Sequence, residues 1–339
     1  MKNVVVTGAT SMLGAALIRG LLQRTSIEKI YAVVRPYTRG GQLSIDSESA
    51  GGLQAEKRKR LPSDERISIV ECDLQDYDKL PSLINDECEV FYHLAWPRTA
   101  TYTENIDDTL LKCEAMKGVL QAVKAAEQLK CSKFVGTGSQ SEYGLLPSGI
   151  YTAEMPCNPV RIDGVIHLAA GQAGRLLAEQ YSITFIWLRI FSVYGINDRK
   201  NSMISSTIEK LLAGEHCAFT KSEQTWDYVY EDDVAEAFIL VGERAERSEV
   251  YNVAAGESKP LREYIEIMRD IVSPGEILGI GEIPYPKNPI MKMEVDISKL
   301  QRDTGWQAKT TFADGIRCIY NSLKNGKLSK RGEEEHNEG

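Results

Sequence analysis

Short apolar runs alternate with longer stretches of helical periodicity through the first two-thirds of the chain. β-branched and aromatic residues dominate the short runs, so the pattern predicts buried strands there. The longer stretches predict helices, most clearly over Asp108–Leu129 and Leu168–Gln180. This alternation predicts an α/β fold of Rossmann type, with a doubly wound parallel sheet. Besides the run that starts at Val4, the strands are predicted at Ile30–Val34, Ile67–Glu71, Val90–Leu94, Lys133–Thr137 and Phe185–Arg189.

A glycine-containing turn follows the first apolar run and leads into an apolar helix. Gly8 permits a sharp turn, Gly14 lets the helix pack close to the sheet, and Ser11 stands where a third glycine is common. A strand, a tight turn and a helix in this order direct backbone N–H groups toward one point. The segment therefore predicts a site for the pyrophosphate of a dinucleotide, in preference to a turn that merely joins two elements.

The regular alternation fades after Gly195, which predicts a division of the chain. We expect a Rossmann domain at 1–195 and a smaller mixed α/β substrate-binding part at 196–324, some of whose segments return to the first domain. The acidic residues 325–339 predict a flexible tail. A polar segment at 37–65 contains the basic run Lys57–Arg60. We interpret this run as a solvated charge cluster, with phosphate binding as the less favoured alternative.

The composition of the chain argues against several classes of protein. The net charge of −8 argues against a nucleic-acid partner, and no apolar run reaches the ~20 residues that span a membrane. Seven scattered cysteines without a Cys-x-x-Cys pair favour free thiols over disulfides or a metal site. We therefore expect a cytoplasmic protein with no metal, no nucleic acid and no membrane partner.

Seven motifs occur in an order that resembles one family, the extended short-chain dehydrogenase/reductases. This family contains nucleotide-sugar epimerases, dehydratases and ketoreductases. The resemblance implies a Rossmann fold, a nucleotide-sugar partner and a homodimer formed through a four-helix bundle, here by the two helices predicted above. The motifs are Thr7–Gly14, Cys72–Leu74, Tyr92–Trp96, Gly138–Gly144, Leu188–Gly195, Tyr228–Ala235 and Thr304–Trp306.

The resemblance also implies a set of cofactor-binding residues. Asp73 would bind the adenine amino group, and Leu74 would flank the ring. Arg35 stands where NAD-selective members carry an acid, so NADP(H) is favoured over NAD(H), although Arg35 can also stack on adenine or face water. Arg39 would assist. The full set is Gly8, Thr10, Ser11, Met12, Leu13, Gly14, Arg35, Asp73, Leu74, Leu94, Ala95, Trp96, Thr137, His167 and Ile190.

The catalytic positions depart from the family pattern. Ser139 fits the hydroxyl position, but Asp163 and His167 occupy the places of the tyrosine and the lysine. Residues four apart on a helix face the same side, so these two side chains are expected to touch, which would raise the imidazole pKa. Three interpretations stay open. The pair does acid/base work with His167 as proton carrier, or Tyr143 or Tyr151 transfers the proton, or the pair only stabilises the helix.

A second departure concerns the substrate. The family arginine that grips a sugar-nucleotide phosphate is replaced by Trp226, and Lys221 or Lys210 is the candidate replacement charge. The sequence thus predicts an NAD(P)-binding, nucleotide-sugar epimerase/dehydratase/ketoreductase-like protein with an atypical active site. The alternative is an inactive cofactor-binding pseudoenzyme or a regulatory partner of an active paralogue. The predicted substrate-binding residues are Trp96, Ser141, Tyr143, Ser192, Gln224 and Trp226.

Overall fold

The computed structural model describes residues 1–36, 54–97, 106–146, 149–287 and 289–337, with the backbone alone at 106–109, 111–112 and 326–337. Thirteen strands run through these residues. Their bounds are β1 Asn3–Thr7, β2 Lys29–Val34, β3 Ile67–Glu71, β4 Val90–His93, β5 Lys133–Ser139, β6 Thr184–Ile190, β7 Val193–Tyr194, β8 Ala218–Phe219, β9 Thr225–Trp226, β10 Val229–Tyr230, β11 Glu249–Val253, β12 Lys259–Pro260 and β13 Gly279–Ile280.

Nine α-helices are described, with 3₁₀ turns at Leu74–Lys79 and Gln140–Tyr143, and residues 54–58 are also helical. No described helix is long and apolar enough to cross a membrane. The helices are α1 Met12–Leu22, α2 Leu80–Leu83, α3 Ile106–Gln128, α4 Ile162–Gln180, α5 Met203–Ala213, α6 Glu231–Arg244, α7 Leu261–Val272, α8 Ser298–Thr304 and α9 Phe312–Asn337.

Seven strands form one parallel sheet in the order β3-β2-β1-β4-β5-β6-β11. The predicted doubly wound α/β sheet is confirmed. Alternate side chains of β1 enter different cores, because successive side chains of a strand point to opposite faces. Val4 and Val6 pack in the core that contains α1 and α6, whereas Val5 packs in the core that contains α3 and α4. Both faces are therefore covered by helices.

The C-terminal third contributes to both parts of the molecule. Strand β11 joins the central sheet and α6 packs against α1, so these segments return to the first domain as expected. Helices α5, α7 and α9 enclose a third, separate core. Helix α9 continues to Asn337, so the segment predicted as a flexible tail is helical over 325–337; 338–339 lie outside the described residues. Most of the 37–65 segment, residues 37–53 with Arg39, also lies outside them.

Candidate active site

The glycine turn brings the end of β1, the end of β4 and the start of α1 into backbone contact. Gly8 has φ of +66°, and a Cβ there would lie 2.7 Å from the carbonyl oxygen of Leu94. A Cβ on Gly14 would lie 2.2 Å from the carbonyl oxygen of Gly8. Ser11 caps α1 by accepting the N–H of Gly14 at 3.0 Å. The helix N-terminus is thus held at the sheet edge, and this cradle fits a phosphate group.

The adenosine side of the predicted cofactor site is built differently from the expectation. The Arg35 guanidinium lies 3.6 Å from the Asp73 carboxylate, so Arg35 has an acidic partner instead of facing water alone. Asp73 also accepts the N–H of Gln75 and caps the 3₁₀ turn that follows. Leu74 stays the predicted contact of the adenine ring. Its side chain is buried against Gly118 of α3, because no side chain at residue 118 fills that space.

The basic run is docked on this edge and is not a solvated cluster, which corrects the interpretation made from sequence. Arg58 donates to the Glu71 carboxylate at 2.6 Å and to the carbonyl oxygen of Arg35 at 3.3 Å. Arg60 donates to the carbonyl oxygen of Thr10 at 3.2 Å. Both guanidinium groups are partly buried. The run therefore crosses the carboxyl ends of β1, β2 and β3.

A cavity of about 830 Å³ extends from the glycine turn toward the C-terminal part of the chain. Many predicted residues meet there, although they come from six separate segments. Its wall includes Leu13, Trp96, Thr137, Ser139, Ser141, Asp163, His167, Ile190, Ser192 and Trp226. The predicted cofactor residues that lie outside its wall are Gly8, Thr10, Ser11, Met12, Gly14, Arg35, Asp73, Leu74, Leu94 and Ala95, which belong to the turn and to the strand ends.

The predicted contact between the side chains of Asp163 and His167 does not form. His167 Nδ1 bonds to the backbone carbonyl oxygen of Asp163 at 2.8 Å, while the Asp163 carboxylate accepts from Arg161 Nε at 3.1 Å. The imidazole stacks on the Trp96 indole with ring centres 3.8 Å apart and planes 20° apart. Burial lowers the pKa of His167, so the expected rise is also wrong.

These contacts define the protonation state of His167. A carbonyl oxygen only accepts, so the bond to Asp163 assigns the ring proton to Nδ1 and leaves the lone pair on Nε2. No hydrogen-bond partner of Nε2 occurs among the described residues, and the ring lines the cavity. His167 is therefore a neutral proton acceptor at the cavity wall and not the fixed cation that a lysine would supply.

A buried network holds Ser139 at the wall of the same cavity. The Glu142 carboxylate accepts the N–H of Ser139 at 2.9 Å, Nε1 of Trp187 at 2.9 Å and Nε of Arg189 at 2.8 Å. Trp187 in turn meets the Trp96 ring edge-on at 6.4 Å. The Ser139 hydroxyl accepts from the N–H of Ser141 and from its hydroxyl. Ser139 thus caps a 3₁₀ turn and lines the cavity at the same time.

The two alternative tyrosines differ in their access to the cavity. Both are buried, but Tyr143 lies outside the cavity wall, so its substrate contact stays a prediction that the geometry does not support. Its hydroxyl donates to Asn252 and accepts from Arg189, and burial raises its pKa to about 12. Tyr151 lines the cavity and accepts the N–H of Leu146 at 3.3 Å. Tyr151 therefore stays a candidate, whereas Tyr143 is structural.

The far end of the cavity lacks the charges expected from the sequence. Trp226 lines it and donates from Nε1 to the Ser192 hydroxyl at 2.8 Å. Gln224 lies outside the wall and accepts from the Tyr285 hydroxyl, so its substrate contact stays a prediction.

Neither candidate lysine, Lys210 or Lys221, lines the wall; Arg161 and Arg199 do. Sequence reasoning missed both arginines, since neither belongs to a recognised motif. The only indication in the sequence was the loss of a positive charge where Trp226 replaces the arginine expected from the family resemblance.

The glycine turn, the motif order and the sheet agree with one family. A model of the NAD dependent epimerase/dehydratase family matches residues 4–254. The chain belongs to this family. Over 331 residues it is 25% identical to a UDP-glucose 4-epimerase from Mycolicibacterium smegmatis, which covers 95% of this chain and 99% of that protein.

Two solved structures of this family share the fold. A Bacillus cereus UDP-glucuronic acid 4-epimerase in complex with UDP-glucuronic acid and NAD has a TM-score of 0.79 at 22% identity, over 96% of this chain and 99% of the other. RMD from Pseudomonas aeruginosa, complexed with NADPH, has a TM-score of 0.72 at 18% identity, over 96% of this chain and 100% of the other. Both matches therefore extend beyond the glycine turn to the C-terminal part.

Proposed function

We propose that this protein is a nicotinamide-dependent enzyme that oxidises a hydroxyl carbon of a nucleotide sugar, as an epimerase, dehydratase or ketoreductase does, with His167 as the proton carrier. The observation that best supports this proposal is the protonation state of His167. Its Nδ1 proton is held by the Asp163 carbonyl, its pKa is lowered by burial, and its unpaired Nε2 lines the cavity. Such a group accepts a hydroxyl proton near neutral pH and can return it later.

The cofactor proposal is supported by the turn and the strand ends. The cradle between Gly8, Gly14 and the start of α1 fits a pyrophosphate, and a nicotinamide dinucleotide bound there supplies hydride transfer. We favour NADP(H) because Arg35 replaces the acid of NAD-selective members, while its partner Asp73 orients the guanidinium. One of the two similar structures contains NAD and the other contains NADPH, so the comparison does not favour either cofactor.

The remaining polar groups receive separate roles. The hydroxyls of Ser139 and Ser141 lie 2.9 Å apart at the cavity wall and would orient the reacting oxygen. Asp163 would not exchange protons, because its carboxylate is held by Arg161. Arg161 and Arg199 would meet the phosphates of the substrate, and the Trp226 indole would stack on its sugar or base.

One experiment separates an enzyme from a cofactor-binding protein. The purified chain is assayed with a panel of nucleotide sugars and either cofactor, together with the His167→Ala and Asp163→Asn variants. The proposal predicts turnover that His167→Ala abolishes and Asp163→Asn retains. Cofactor binding without turnover on any sugar would instead favour the pseudoenzyme. Turnover that survives His167→Ala would transfer the proton role to Tyr151.

We also propose a homodimer formed through α3 and α4. Leu110, Val165 and Leu176 are each about half exposed on these helices, and burial of such side chains stabilises an interface. The small residues of α4 do not serve this contact, since Gly171 and Gly174 pack inward on Trp187 and Phe185. Light scattering at micromolar concentration should show a dimer, and Leu176→Glu should give a monomer.

A cytoplasmic location is part of the proposal as well. All seven cysteines are free thiols, although four of them are buried close to the sheet or its loops. This state favours a reducing compartment, where thiols persist without pairing. Fractionation of cells that express the tagged chain should recover it with the cytoplasmic proteins.

A further inference from the structure

Arg60 differs from the other arginines at the nucleotide edge in having no acidic partner. Arg58 is paired with Glu71, and Arg35 lies beside Asp73. Arg60 forms no ion pair with any described carboxylate, and its hydrogen-bond acceptor among the described residues is a neutral carbonyl oxygen. Partly burying a guanidinium without a counter-charge costs free energy, so such a site favours an anion that can supply it.

The position of Arg60 indicates which anion this is. Its acceptor is the carbonyl oxygen of Thr10, the residue directly before the Ser11 cap of α1. The N-terminus of α1 carries a partial positive charge, and its N–H groups lack partners within the helix. Arg60 thus adds a full positive charge beside a backbone cradle that fits a phosphate.

The neighbouring acid does not neutralise Arg60. Glu231 lies beyond ion-pair distance from it, and the Glu231 carboxylate is already engaged by Arg19 at 3.5 Å and by the N–H of Ile196 at 3.2 Å. Burial also raises the pKa of Glu231 to about 7, so this carboxyl is partly neutral at physiological pH. The remaining N–H groups of Arg60 are therefore available to a ligand.

We infer that Arg60 binds a phosphate group of the dinucleotide cofactor, in addition to the contacts made by the glycine turn and Arg35. The inference rests on the proposed cofactor binding. It gives the basic run a specific role: Arg58 anchors the segment to β2 and β3, and this anchor places Arg60 at the turn after β1. The phosphate is either the pyrophosphate or a 2′-phosphate, both of which match a forked guanidinium.

The test is a set of equilibrium titrations of the full chain with NADPH, NADH, ADP and adenosine 2′,5′-bisphosphate. Arg60→Met removes the charge and keeps the length of the side chain. The control, Lys59→Met, makes the same charge change at the preceding residue, whose side chain is exposed and paired with Glu56. Arg60→Met should raise Kd about tenfold or more. Lys59→Met should change Kd less than twofold, and Arg60→Lys should recover part of the loss.

The ligands identify the phosphate. If Arg60→Met weakens the binding of NADPH and the bisphosphate but not that of NADH and ADP, Arg60 contacts the 2′-phosphate. If the binding of NADH and ADP is weakened too, Arg60 contacts the pyrophosphate. Unchanged Kd for all four ligands overturns the inference. If Arg60→Met does not fold, Arg60→Gln and Arg60→Lys provide the same comparison. A wild-type chain that binds none of the four contradicts the proposed cofactor binding itself, a result distinct from unchanged binding by the variant.

Discussion

The glycine turn and helix α4 both face the proposed reaction, but they are constrained in different ways. The turn is defined by backbone atoms, with carbonyl oxygens where any Cβ at Gly8 or Gly14 would lie. Helix α4 presents its chemistry through side chains, and His167 owes its position to a stacked ring from the segment after β4. A substitution on α4 can therefore change the side chains at the cavity while the turn stays intact, because the turn depends on the backbone path and the chemistry of α4 on its side chains.

The largest expected effect is a failure of the turn in Gly14→Val. The new side chain would collide with the carbonyl oxygen of Gly8, so we expect a loss of about 3 kcal/mol of unfolding free energy and no measurable cofactor binding. Urea denaturation and cofactor titration check both. Gly214→Ala is the control: nothing lies within 4 Å of its Cβ, so only its positive φ is strained. Normal cofactor binding by Gly14→Val would show that the turn is not the phosphate site.

Next in size is His167→Ala, which tests the other region. Loss of a general acid/base group should reduce kcat by roughly 10²–10⁴-fold, with the Kd of the cofactor changed by less than about threefold, because the turn is untouched. Stopped-flow and steady-state assays measure the two quantities. Asp163→Asn should leave kcat nearly unchanged. An equal loss in both variants would show that the carboxylate, and not the backbone carbonyl, acts on the imidazole.

Glu231, whose carboxylate lies 3.5 Å from Arg19 of α1, should make stability depend on pH. Its carboxyl is fully buried, one oxygen has no partner among the described residues, and burial raises its pKa to about 7. Between pH 4.5 and 7 the unfolded chain loses this proton while the folded chain retains it, so stability falls as pH rises, by at most about 3 kcal/mol. Glu231→Gln should flatten this slope in chemical denaturation. A slope equal to that of the wild type would contradict the assignment.

Arg199→Ala should have a smaller effect, confined to substrate binding. The side chain lines the cavity and lies on the segment between β7 and α5. Loss of one phosphate contact should raise KM about tenfold with little change in kcat. Lys210→Ala, which removes a charge outside the cavity wall, is the matched control. A fall in kcat with KM unchanged would place Arg199 in the reaction step instead.

The smallest effect concerns the acid limb of the pH profile. An ordinary histidine, with a pKa near 6.5, is only about one-tenth neutral at pH 5.5. Burial lowers the pKa of His167, so its base form persists to more acidic pH. In the oxidation direction, kcat/KM should begin to fall only below pH 6.5 and be higher at pH 5.5 than an ordinary pKa allows. If kcat/KM already falls at a pH above 6.5, the imidazole pKa is raised, as a contact with the Asp163 carboxylate would produce.

Local sequence predicted the elements better than the contacts between side chains. The runs at residues 30–34 and 133–137 form inner strands of the central sheet, where burial on both faces favours apolar residues, and the run at 67–71 forms a partly exposed edge strand. Helical spacing correctly placed Asp163 and His167 on one side of α4. It did not predict their partners, since Arg161 and Trp96 compete for them, and Trp96 is more than sixty residues away in sequence.

By itself, the sequence determined the sheet and the glycine turn, and it predicted that Asp163 and His167 stand at the tyrosine and lysine positions. These features depend on neighbours in the chain: apolar periodicity, the absence of a Cβ, and residue identity at a motif position. Tertiary structure alone decided the neutral state of His167, the burial of Tyr143 and Leu74, and the docking of Arg58 and Arg60 on the strand ends. Each of these depends on which distant groups share a low-dielectric space, because burial and long-range partners set both the pKa and the exposure of a side chain.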